Sequence, residues 1–454
     1  MKNNVNEMDS NSKSIPKGFK QTDIGLIPED WDVDELDNHI SKPQYGFTES
    51  ASDKGNVQFL RITDITDFGV DWSKVPYCNC PKEKIESYKL KNNDIVFARI
   101  GATTGKSYLI NNPPNSIFAS YLIRVRSNND LDSPYLYYFF NSSEYWKQIN
   151  SNKGRNLKGG VSASILSKLK IPLPPLPEQK KIAHVLSKIQ QAIETQEQII
   201  KTTQELKKAL MQKLFTEGLN GEPQKQTEIG LIPESWEVVK IKDYCDVKSH
   251  SFSFSKIPSI DSKSTSDIKV LAIKVSDMNL PGNEFVLNYS NNEFYLPEKK
   301  LAKIKTIPPG SIVFPKRGAA ISTNKKRLIK YNTILDPNLI AVIPGSTVDY
   351  SFLFCWFQSF DVSTLKDDNP IPQLNKKDVD NVSFPLPKKD IQKRIADIIY
   401  KIDESVVQQS IKLNHLKELF KNMLSQLMTG QIRVKDIEFK LEEVEKTAEA
   451  VKAE

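Results

Sequence analysis

The sequence predicts an α+β protein in which two copies of one globular module are each followed by a long helix, and the two helices pair as an antiparallel coiled coil. Residues 20–33 read KQTDIGLIPEDWDV, and residues 225–238 repeat 11 of these 14 positions as KQTEIGLIPESWEV. A second segment, IPLPPLPEQKKIAHVLSKI at 171–189, returns as FPLPKKDIQKRIADIIYKI at 384–402. After each proline-rich connector, apolar residues recur every seven positions. Two ordered repeats and two heptad stripes therefore predict the architecture.

The composition is that of a globular protein with more than one domain. The chain has 454 residues, of which 39% are hydrophobic and 26% charged, enough for several cores. Lys and Arg number 63 against 56 Asp and Glu, a mild excess that permits a polyanionic partner without requiring one. Four cysteines without a paired CxxC spacing argue against a disulfide scaffold or a zinc site. With no apolar signal segment and no run of about 18 apolar residues, we expect a soluble, cytoplasmic protein.

The body of each copy is expected to be rich in strands. Short apolar runs alternate there with Gly, Asn, Pro and Ser, a pattern typical of strands and turns. Three weaker matches keep the same order in both copies: LRITDI (60–65) with IKVSDM (273–278), DIVFARIG (94–101) with SIVFPKRG (311–318), and YLYYFFNS (135–142) with FLFCWFQS (352–359). Matched segments in a fixed order predict one fold for both modules.

A long helix is predicted after each connector, because a proline run cannot be helical inside whereas Pro177 fits a first helical turn. Neither helix can leave its stripe in water, so the economical arrangement pairs the two helices with each other. The first stripe loosens after Ile200, where Leu206 and Leu210 are expected to continue it. The predicted pairing positions are Ile182, Leu186, Ile189, Ile193, Gln196, Ile200, Ile395, Ile399, Ile402, Val406, Gln409 and Leu413.

Two glutamines suggest the register of the helix pair. Gln196 and Gln409 occupy equivalent seam positions, and Gln196 lies near the middle of the first stripe. If the antiparallel pair is centred on this layer, the two glutamines face each other and penalise slipped registers. The alternative is that each is a tolerated, partly exposed glutamine.

These patterns divide the chain into six expected segments. They are a disordered tail (1–17), a first module (18–171), a first helical spacer (172–219), a second module (220–384), a second helical spacer (385–435) and an acidic C-terminal tail (436–454). The N-terminal tail is rich in Asn, Ser and Lys, which predicts disorder. The C-terminal tail fits either a short acidic helix or an unstructured end.

Segments that resemble catalytic motifs are better explained as turns. The segment 101–107, GATTGKS, has three residues between its glycines where a phosphate-binding P-loop has four, and a strand pattern follows it. We therefore predict a glycine-rich hairpin loop that carries Lys106. The segment 112–115, NPPN, lacks the aromatic residue of the adenine methyltransferase motif. The four histidines are scattered, so we predict no metal site, no catalytic residue and no cofactor.

Taken together, these segments resemble the specificity (S) subunit of type I restriction–modification enzymes. The resemblance extends from about residue 18 to 434 and is carried by IGLIPEDWDV (24–33), YGFTESASDKGNVQFLRITDI (45–65), DIVFARIGATTGKSYLI (94–110), IPLPPLPEQKKIAHVL (171–186), LMQKLFTEGL (210–219), IGLIPESWEV (229–238), FPLPKKDIQKRIADII (384–399) and LSQLMTGQIRV (424–434). The second connector departs from the first, since it reads PLPKKDIQ instead of PLPPLPEQ.

The resemblance implies a role for each part. Each module would be a target-recognition domain that reads one half of a split double-stranded DNA target. The helices would set the spacing of the halves and bind two methyltransferase (M) subunits, which restriction (R) subunits then join. Methylation would belong to the partner, so this chain would be a non-catalytic subunit without a cofactor of its own. The main alternative is a two-module protein-binding scaffold without DNA specificity. A self-sufficient methyltransferase or nuclease is a third, less favoured hypothesis.

Basic residues in the modules are the candidates for DNA contact, because Lys and Arg bind phosphates and Arg can bind guanine through two hydrogen bonds. The groups at 99–106 and 316–327 are favoured, since they occur in matched loops of the two modules. For any single residue, a solvated surface charge is the alternative. The predicted DNA-binding residues are Arg61, Arg99, Lys106, Arg155, Lys158, Lys274, Lys316, Arg317, Lys325, Lys326 and Arg327.

Overall fold

The structure is a computed structural model that describes residues 15–66, 69–153, 160–249, 268–367 and 369–435. Most of the expected N-terminal tail and all of the expected C-terminal tail therefore lie outside the described residues. The chain forms two compact units. Unit 1 comprises residues 1–198 and 411–454, and unit 2 comprises residues 199–410. Both boundaries fall inside long helices, so each unit contains one module and parts of both helices.

Unit 1 contains thirteen described strands, the whole of four short helices and the first part of a long one. The strands are β1 (Phe19–Thr22), β2 (Gly25–Pro28), β3 (Asp32–Glu35), β4 (Gln44–Tyr45), β5 (Val57–Leu60), β6 (Ile65–Thr66), β7 (Gly69–Val70), β8 (Tyr77–Cys78), β9 (Ile95–Ala98), β10 (Ser107–Leu109), β11 (Ser116–Phe118), β12 (Leu122–Val125) and β13 (Lys170–Leu173). The helices are α1 (Lys82–Tyr88), α2 (Ser133–Phe139), α3 (Ser143–Lys153), α4 (Ala163–Ser167) and α5 (Leu176–Glu217).

Two small sheets form the body of unit 1. Four antiparallel strands lie in the order β10-β9-β12-β4, and three lie in the order β11-β5-β8, with β11 parallel to β5. The central strands β9 and β12 read IVFA and LIRV and are buried at every position, as expected for strands covered on both faces. Strand β3 of the opening segment pairs with β13 of the connector, which fixes the start of α5 next to the opening turn.

Unit 2 contains twelve described strands, four short helices and the first part of a second long helix. The strands are β14 (Gln224–Thr227), β15 (Gly230–Pro233), β16 (Glu237–Lys240), β17 (Cys245–Lys248), β18 (Ile268–Ile273), β19 (Val286–Leu287), β20 (Glu293–Leu296), β21 (Ile312–Pro315), β22 (Arg327–Ile329), β23 (Asn332–Leu335), β24 (Leu339–Pro344) and β25 (Ser383–Leu386). The helices are α6 (Ile241–Tyr244), α7 (Glu298–Leu301), α8 (Tyr350–Ser359), α9 (Lys376–Asp380) and α10 (Lys389–Met428).

The sheets of unit 2 repeat the topology of unit 1. One sheet has the order β17-β24-β21-β22, which matches β4-β12-β9-β10, and adds β19 at its edge. The other has the order β20-β18-β23, in which β18 is parallel to β23 just as β5 is parallel to β11. The connector strand again pairs with the opening segment, here β25 with β16. The repeat in the sequence therefore corresponds to one fold used twice.

The helices α5 and α10 contain 42 and 40 residues and run antiparallel. Within unit 1, Glu197 pairs with Lys417 at 2.6 Å. Nearer the start of α5, Ile182 shares a buried cluster with Leu427 near the end of α10. Positions earlier on α5 thus lie beside positions later on α10, so the predicted antiparallel pairing is confirmed. No helix in the described residues is long and apolar enough to cross a membrane.

The register in which Gln196 would face Gln409 is wrong by about one heptad. Within unit 1, Glu197 pairs with Lys417, nine residues beyond the position that the expected register assigns to it. Within unit 2, Lys207 pairs with Asp403 at 2.5 Å, five residues beyond its expected position. Gln196 therefore lies near the turn of Lys417, where only 2% of its surface is exposed.

The chemistry of one seam position explains the shift. Lys207 continues the seam of α5 and is 8% exposed, whereas Leu206, expected to continue it, is 62% exposed. A buried lysine needs an acidic partner, and the observed register supplies Asp403. The prediction that Leu206 continues the seam is thus wrong. The apolar pattern alone could not show that the seam continues instead through Lys207 and its ion pair with Asp403.

Candidate nucleic-acid interface

Two basic residues flank one three-residue turn in unit 1. The turn, 119–121, joins β11 to β12. The backbone N–H of Ala119, the first residue of the turn, donates at 2.9 Å to the carbonyl of Leu60, the residue that precedes Arg61. Its last residue accepts from the backbone N–H of Arg99 at 3.1 Å. Arg61 and Arg99, which follow β5 and β9, are therefore brought to the two sides of the same turn.

Unit 2 repeats this arrangement at the turn 336–338. The backbone N–H of Asp336 donates to the carbonyl of Ile273 at 3.0 Å, directly before Lys274. The last residue of the turn accepts from the backbone N–H of Lys316 at 2.8 Å. A cation on each side of an equivalent turn is therefore common to both units, and we call these two places the cationic turns.

The first cation of each turn is followed by a short 3₁₀ helix, Ile62–Asp64 or Val275–Asn279. In unit 1, the Asp64 carboxylate accepts from the Arg61 backbone and guanidinium at 2.8 Å. This carboxylate raises the pKa of the Arg61 guanidinium through the hydrogen bond, so the residue keeps its charge. In unit 2, the Lys274 backbone N–H donates in the same way to the carboxylate of buried Asp277, and the Lys274 side chain is exposed.

The second cation of unit 1, Arg99, is positioned by an aromatic ring. Its guanidinium lies over the ring of Tyr45 at 4.8 Å from the centroid, a contact that orients a cation without neutralising it. Its backbone carbonyl accepts from the N–H of Val161 at 3.0 Å. Gly160 lies so close that a Cβ there would meet this carbonyl at 3.1 Å. Arg99 is thus fixed in place by three separate segments.

In unit 2, two adjacent residues, Lys316 and Arg317, provide the positive charge on the second side of the turn. Lys316 is half-buried and donates to the hydroxyl of Ser249. Burial lowers the pKa of Lys316, and the adjacent charge of Arg317 lowers it further. Arg317 itself is exposed, and Gly318 after it adopts a left-handed φ of 70°. Arg317 is therefore the more accessible of the two cations for a phosphate.

Lys106 lies where the glycine-rich loop was predicted. Strands β9 and β10 form an antiparallel hairpin around residues 99–106, so the prediction of a hairpin loop instead of a P-loop is confirmed. Gly101 and Gly105 have φ values of 85° and 89°, which favour glycine at both positions. The Lys106 side chain is exposed and lines a cleft between the module and α5.

Lys326 and Arg327 are placed differently from the prediction. Lys326 is 7% exposed and donates to the Phe360 carbonyl and the Asn324 amide, each at 2.8 Å. Burial lowers the pKa of Lys326 to about 8. Arg327 bonds the carbonyl of Met278 at 3.0 Å. Both side chains support loops from within: the Lys326 ammonium and the two terminal nitrogens of Arg327 bond protein acceptors, while the Arg327 Nε is buried without a hydrogen-bond partner among the described residues.

The other predicted candidates are accessible only in part. Lys325 is half-buried and donates to the amide oxygen of Asn279. Arg155 and Lys158 lie outside the described residues. The chain returns to the described part at Gly160, beside Arg99. We therefore place the described cations of the candidate interface at Arg61, Arg99, Lys106, Lys274, Lys316, Arg317 and Lys325.

Sequence reasoning missed two tyrosines at the cationic turn of unit 1. Tyr121 is 57% exposed within the turn, and Tyr45 beneath Arg99 is 39% exposed. Exposed tyrosines next to arginines suit contact with bases or phosphates. The repeat does not mark them: Asn338 stands where Tyr121 would recur in unit 2, and strand β17, the counterpart of the strand that ends at Tyr45, reads CDVK without a tyrosine. An alignment of the two copies alone could not have revealed them.

The helix-pairing positions lie along continuous stripes, and all twelve are buried or half-buried. Seven of them are buried: Ile182, Leu186, Ile193, Gln196, Ile395, Ile399 and Val406. In the described part of the chain, no group of three His, Cys, Asp or Glu residues could hold a metal ion. The geometry is thus that of a binding surface repeated on two modules.

These features define a protein with two like modules, each presenting a cationic turn, joined by a helix pair. The family model "Type I restriction modification DNA specificity domain" matches the chain twice, at residues 28–205 and 233–417. The chain therefore belongs to the type I restriction–modification specificity subunits, which are the DNA-recognition subunits of these systems.

Relatives and solved structures agree with this assignment. The chain is 28% identical to the type I restriction enzyme MjaVIII specificity subunit of Methanocaldococcus jannaschii, over 93% of this chain and 98% of the relative. A structure described under complex assembly and conformational transition of the type I R-M system has a TM-score of 0.52 at 17% identity, covering 89% of this chain and 99% of the other. The S subunit from M. genitalium also has a TM-score of 0.52, at 14% identity, covering 87% and 96%.

Proposed function

We propose that each unit reads one half of a split double-stranded DNA target. The observation that supports this most directly is the repeated cationic turn, with Arg61 and Arg99 in unit 1 and Lys274 and Lys316 in unit 2. Two equivalent surfaces on one chain match a target with two separated blocks. Cations at such turns bind phosphates, and an arginine near them can select guanine in the major groove.

The helices act in this proposal as the spacer between the two reading surfaces and as the site for partner subunits. At 1.5 Å per residue, each spans about 60 Å. α10 also carries large apolar side chains that remain exposed, a feature typical of surfaces that bind another protein. They are Ile398, Tyr400, Val407, Ile411 and Leu419. We assign this surface to two methyltransferase subunits, to which restriction subunits are added.

The chemistry in this proposal belongs to those partners. The chain contributes target recognition and positioning, acts as a non-catalytic subunit without its own cofactor, and works on DNA in the cytoplasm. The expected segment boundaries 18–171, 172–219, 220–384 and 385–435 then correspond to reader, spacer, reader and spacer. The structural units cut across these segments, because each unit takes parts of both helices.

A methylation map tests the proposal. The chain is expressed with its methyltransferase partner, and modified adenines are mapped on genomic DNA. We expect two short fixed blocks separated by a gap of fixed length. Exchanging residues 20–170 for the matching module of a relative should change one block and leave the other unchanged. A single continuous target, or a change in both blocks, would contradict the proposal.

Binding by the purified chain separates this function from a protein scaffold. A reader of duplex DNA should lose affinity with salt at a log–log slope of about −0.9 per phosphate contacted. The cationic turns provide the residues whose removal should reduce that slope. Affinity for DNA that is weak and does not vary with salt would favour the scaffold instead.

A further inference from the structure

A loop at 366–373 of unit 2, of which residue 368 lies outside the described residues, packs against the cationic turn of that unit. The backbone N–H of Gly318 donates to the carbonyl of Pro372 at 2.8 Å. The next residue of the loop, Gln373, pairs with Arg317 in an antiparallel bridge. Residues that face each other in such a bridge have Cα atoms about 4.5–5.5 Å apart. The loop therefore lies directly beside the exposed Arg317.

Bonds across its base hold this loop in one shape. The backbone N–H of Gln373 donates to the Asp367 carboxylate at 2.8 Å, and the N–H of Asp367 donates to the carbonyl of Gln373 at 3.3 Å. The side-chain amide of Asn369 donates to the same carboxylate at 2.6 Å. Both neighbours of Ile371 are prolines, which fix their own φ angles and restrict the residue before them. Ile371 is thus preorganised, so a contact that it makes costs little conformational entropy.

Ile371 is 62% exposed, more than any other large apolar side chain described in the module of unit 2. In the module of unit 1 the most exposed described one is Tyr121, at 57%, which is part of the cationic turn of that unit. A single exposed apolar side chain is common on protein surfaces. Here, however, two modules place their most exposed one beside the equivalent turn, although the residues differ. The recurrence indicates that these turns contact an apolar group of the ligand.

The matching segment of unit 1 differs from this loop in chemistry. The residue that follows the loop, Leu374, donates its N–H to the carbonyl of Lys316 at 2.8 Å, as Val161 donates to the equivalent carbonyl of unit 1 at 3.0 Å. Counted back from these two residues, Ile371 corresponds to Lys158, which lies outside the described residues. A lysine can bind a phosphate, whereas an isoleucine can bind only an apolar group. The loop of unit 2 is therefore suited to reading an apolar feature of the target.

The apolar group that duplex DNA exposes in its major groove is the 5-methyl group of thymine. In the minor groove, an isoleucine acts as a wedge that unstacks two bases. The Asp367 carboxylate at the base of the loop disfavours the minor groove, whose negative potential repels an anion. The backbone hydrogen bond from Gln373 lowers the pKa of Asp367, so this carboxylate keeps its charge. In the major groove, a carboxylate can instead accept from the amino group of cytosine.

We propose that Ile371 determines specificity in unit 2 by packing on the 5-methyl group of a thymine in the major groove, beside the phosphate that Arg317 binds. The inference rests on the proposed function, in which each unit reads one half of the target, and it assigns one position of one half to a single side chain. Ile371 then selects thymine at this position, because the other bases offer no methyl group there.

Replacing single thymines by deoxyuridine tests this directly, because deoxyuridine lacks only the methyl group. The full chain in complex with its methyltransferase partner is titrated with duplexes that contain the mapped target. Each thymine of the unit 2 half, which is the half that exchange of residues 20–170 leaves unchanged, is replaced in turn. At one position we expect affinity to fall about fourfold, as for one buried methyl group. Ile371→Ala should bind the thymine and deoxyuridine duplexes equally, whereas Ile371→Val should keep part of the difference.

The matched control is Leu231→Ala, which removes a 45% exposed leucine from the opening hairpin of the same unit and should retain the wild-type difference. A unit 2 half without thymine on either strand, or without a position sensitive to the methyl group, would overturn the proposal. So would a difference that survives in Ile371→Ala. If Ile371→Ala instead weakens binding of the methyltransferase partner, the residue is a protein contact and the proposal fails. In all these cases a split target in the methylation map leaves the proposed function standing, whereas a continuous target refutes that function itself.

Discussion

Arg433 holds three separate segments of unit 1 together through one buried carboxylate. Its guanidinium donates to both oxygens of Glu178 and both oxygens of Asp30, each at 2.8 Å. Glu178, on the first turn of α5, is 3% exposed and also accepts from the Trp31 indole at 3.1 Å. The segment after α10, the opening turn and the start of α5 are thus joined by one residue.

Replacing Arg433 should destabilise unit 1 strongly. In Arg433→Ala the buried Glu178 carboxylate keeps only the Trp31 indole, so we expect a loss of about 3 kcal/mol in the free energy of unfolding. Urea denaturation measures it, with Lys421→Ala, an exposed residue of α10, as the control. The double variant Arg433→Ala, Glu178→Gln should recover part of the loss, because the unpaired charge is gone. A loss below about 0.5 kcal/mol, as for an exposed pair, would contradict this account.

Lys326 should make the stability of unit 2 depend on pH in the alkaline range. Its pKa is lowered to about 8 by burial, against about 10.4 for an unfolded lysine. Between these values the unfolded chain binds more protons, so the stability contribution of Lys326 rises with pH. The neutral amine keeps two N–H donors for its two acceptors. Relative to Lys326→Met, the free energy of unfolding of the wild type should increase by up to about 1.4 kcal/mol per pH unit between these two pKa values.

The measurement is the free energy of unfolding of both proteins from pH 7 to 11. Lys330→Met, which removes an exposed lysine of the same unit, controls for the loss of one charge. Curves for the wild type and Lys326→Met that stay parallel throughout would show that the lysine is solvated. The burial of Lys326 could not be predicted from sequence, because the run NKKR at 324–327 has the composition of an exposed loop.

Arg99 and Lys316 provide a matched pair for DNA binding. The two occupy equivalent backbone positions at the cationic turns, so Arg99→Ala and Lys316→Ala should each weaken recognition of a different half of the target. For each variant we expect a salt slope reduced by about 0.9 if one phosphate contact is lost. Competition assays with DNAs that are altered in only one half of the target distinguish the two variants. Equal effects on both halves would mean that the turns do not divide the target.

At the scale of elements, the ion pair of Lys207 and Asp403 replaces an apolar layer in the helix seam of unit 2. The two side chains are 10% and 14% exposed, and desolvation raises the pKa of Asp403. Removing one partner leaves the other charge buried, so Lys207→Met alone or Asp403→Leu alone should cost about 3–5 kcal/mol.

The double variant Lys207→Met, Asp403→Leu should recover much of this loss, since an apolar pair can replace a buried ion pair. The remaining loss should be about 1–3 kcal/mol, because the amide oxygen of Gln358 loses the Lys207 ammonium as its donor. A double-mutant cycle by chemical denaturation measures the coupling. Costs that simply add would show that the two residues act independently. The heptad period predicted the helices, and the repeat of the two copies predicted their antiparallel direction. This ion pair instead depends on a partner 196 residues away in the chain, which periodicity cannot reveal.

For the whole molecule, the internal repeat carried most of the predictable information. Because the same segments recur in the same order, the shared sheet topology and the paired helices could be inferred from one sequence. The division into units could not, since it depends on which half of each helix packs on which module. The cationic turns were predictable only as loops with basic residues. Their assembly rests on backbone hydrogen bonds between segments such as Leu60 and Ala119.

The spacing of the target is the property of the whole molecule that the helices should control. We expect that seven residues inserted into both α5 and α10, beside Gln196 and at the facing turn of α10, will keep the seam in phase, because the insertion equals one heptad. Each insertion lengthens its helix by about 10 Å, near three base-pair steps of about 3.4 Å. The methylation map should then show both half-sites unchanged and a gap about three base pairs longer. An insertion in α5 alone is the control, since it shifts the seam of one helix against the other and should reduce stability and modification together. An unchanged gap in the double insertion would show that the helices do not set the distance between the half-sites.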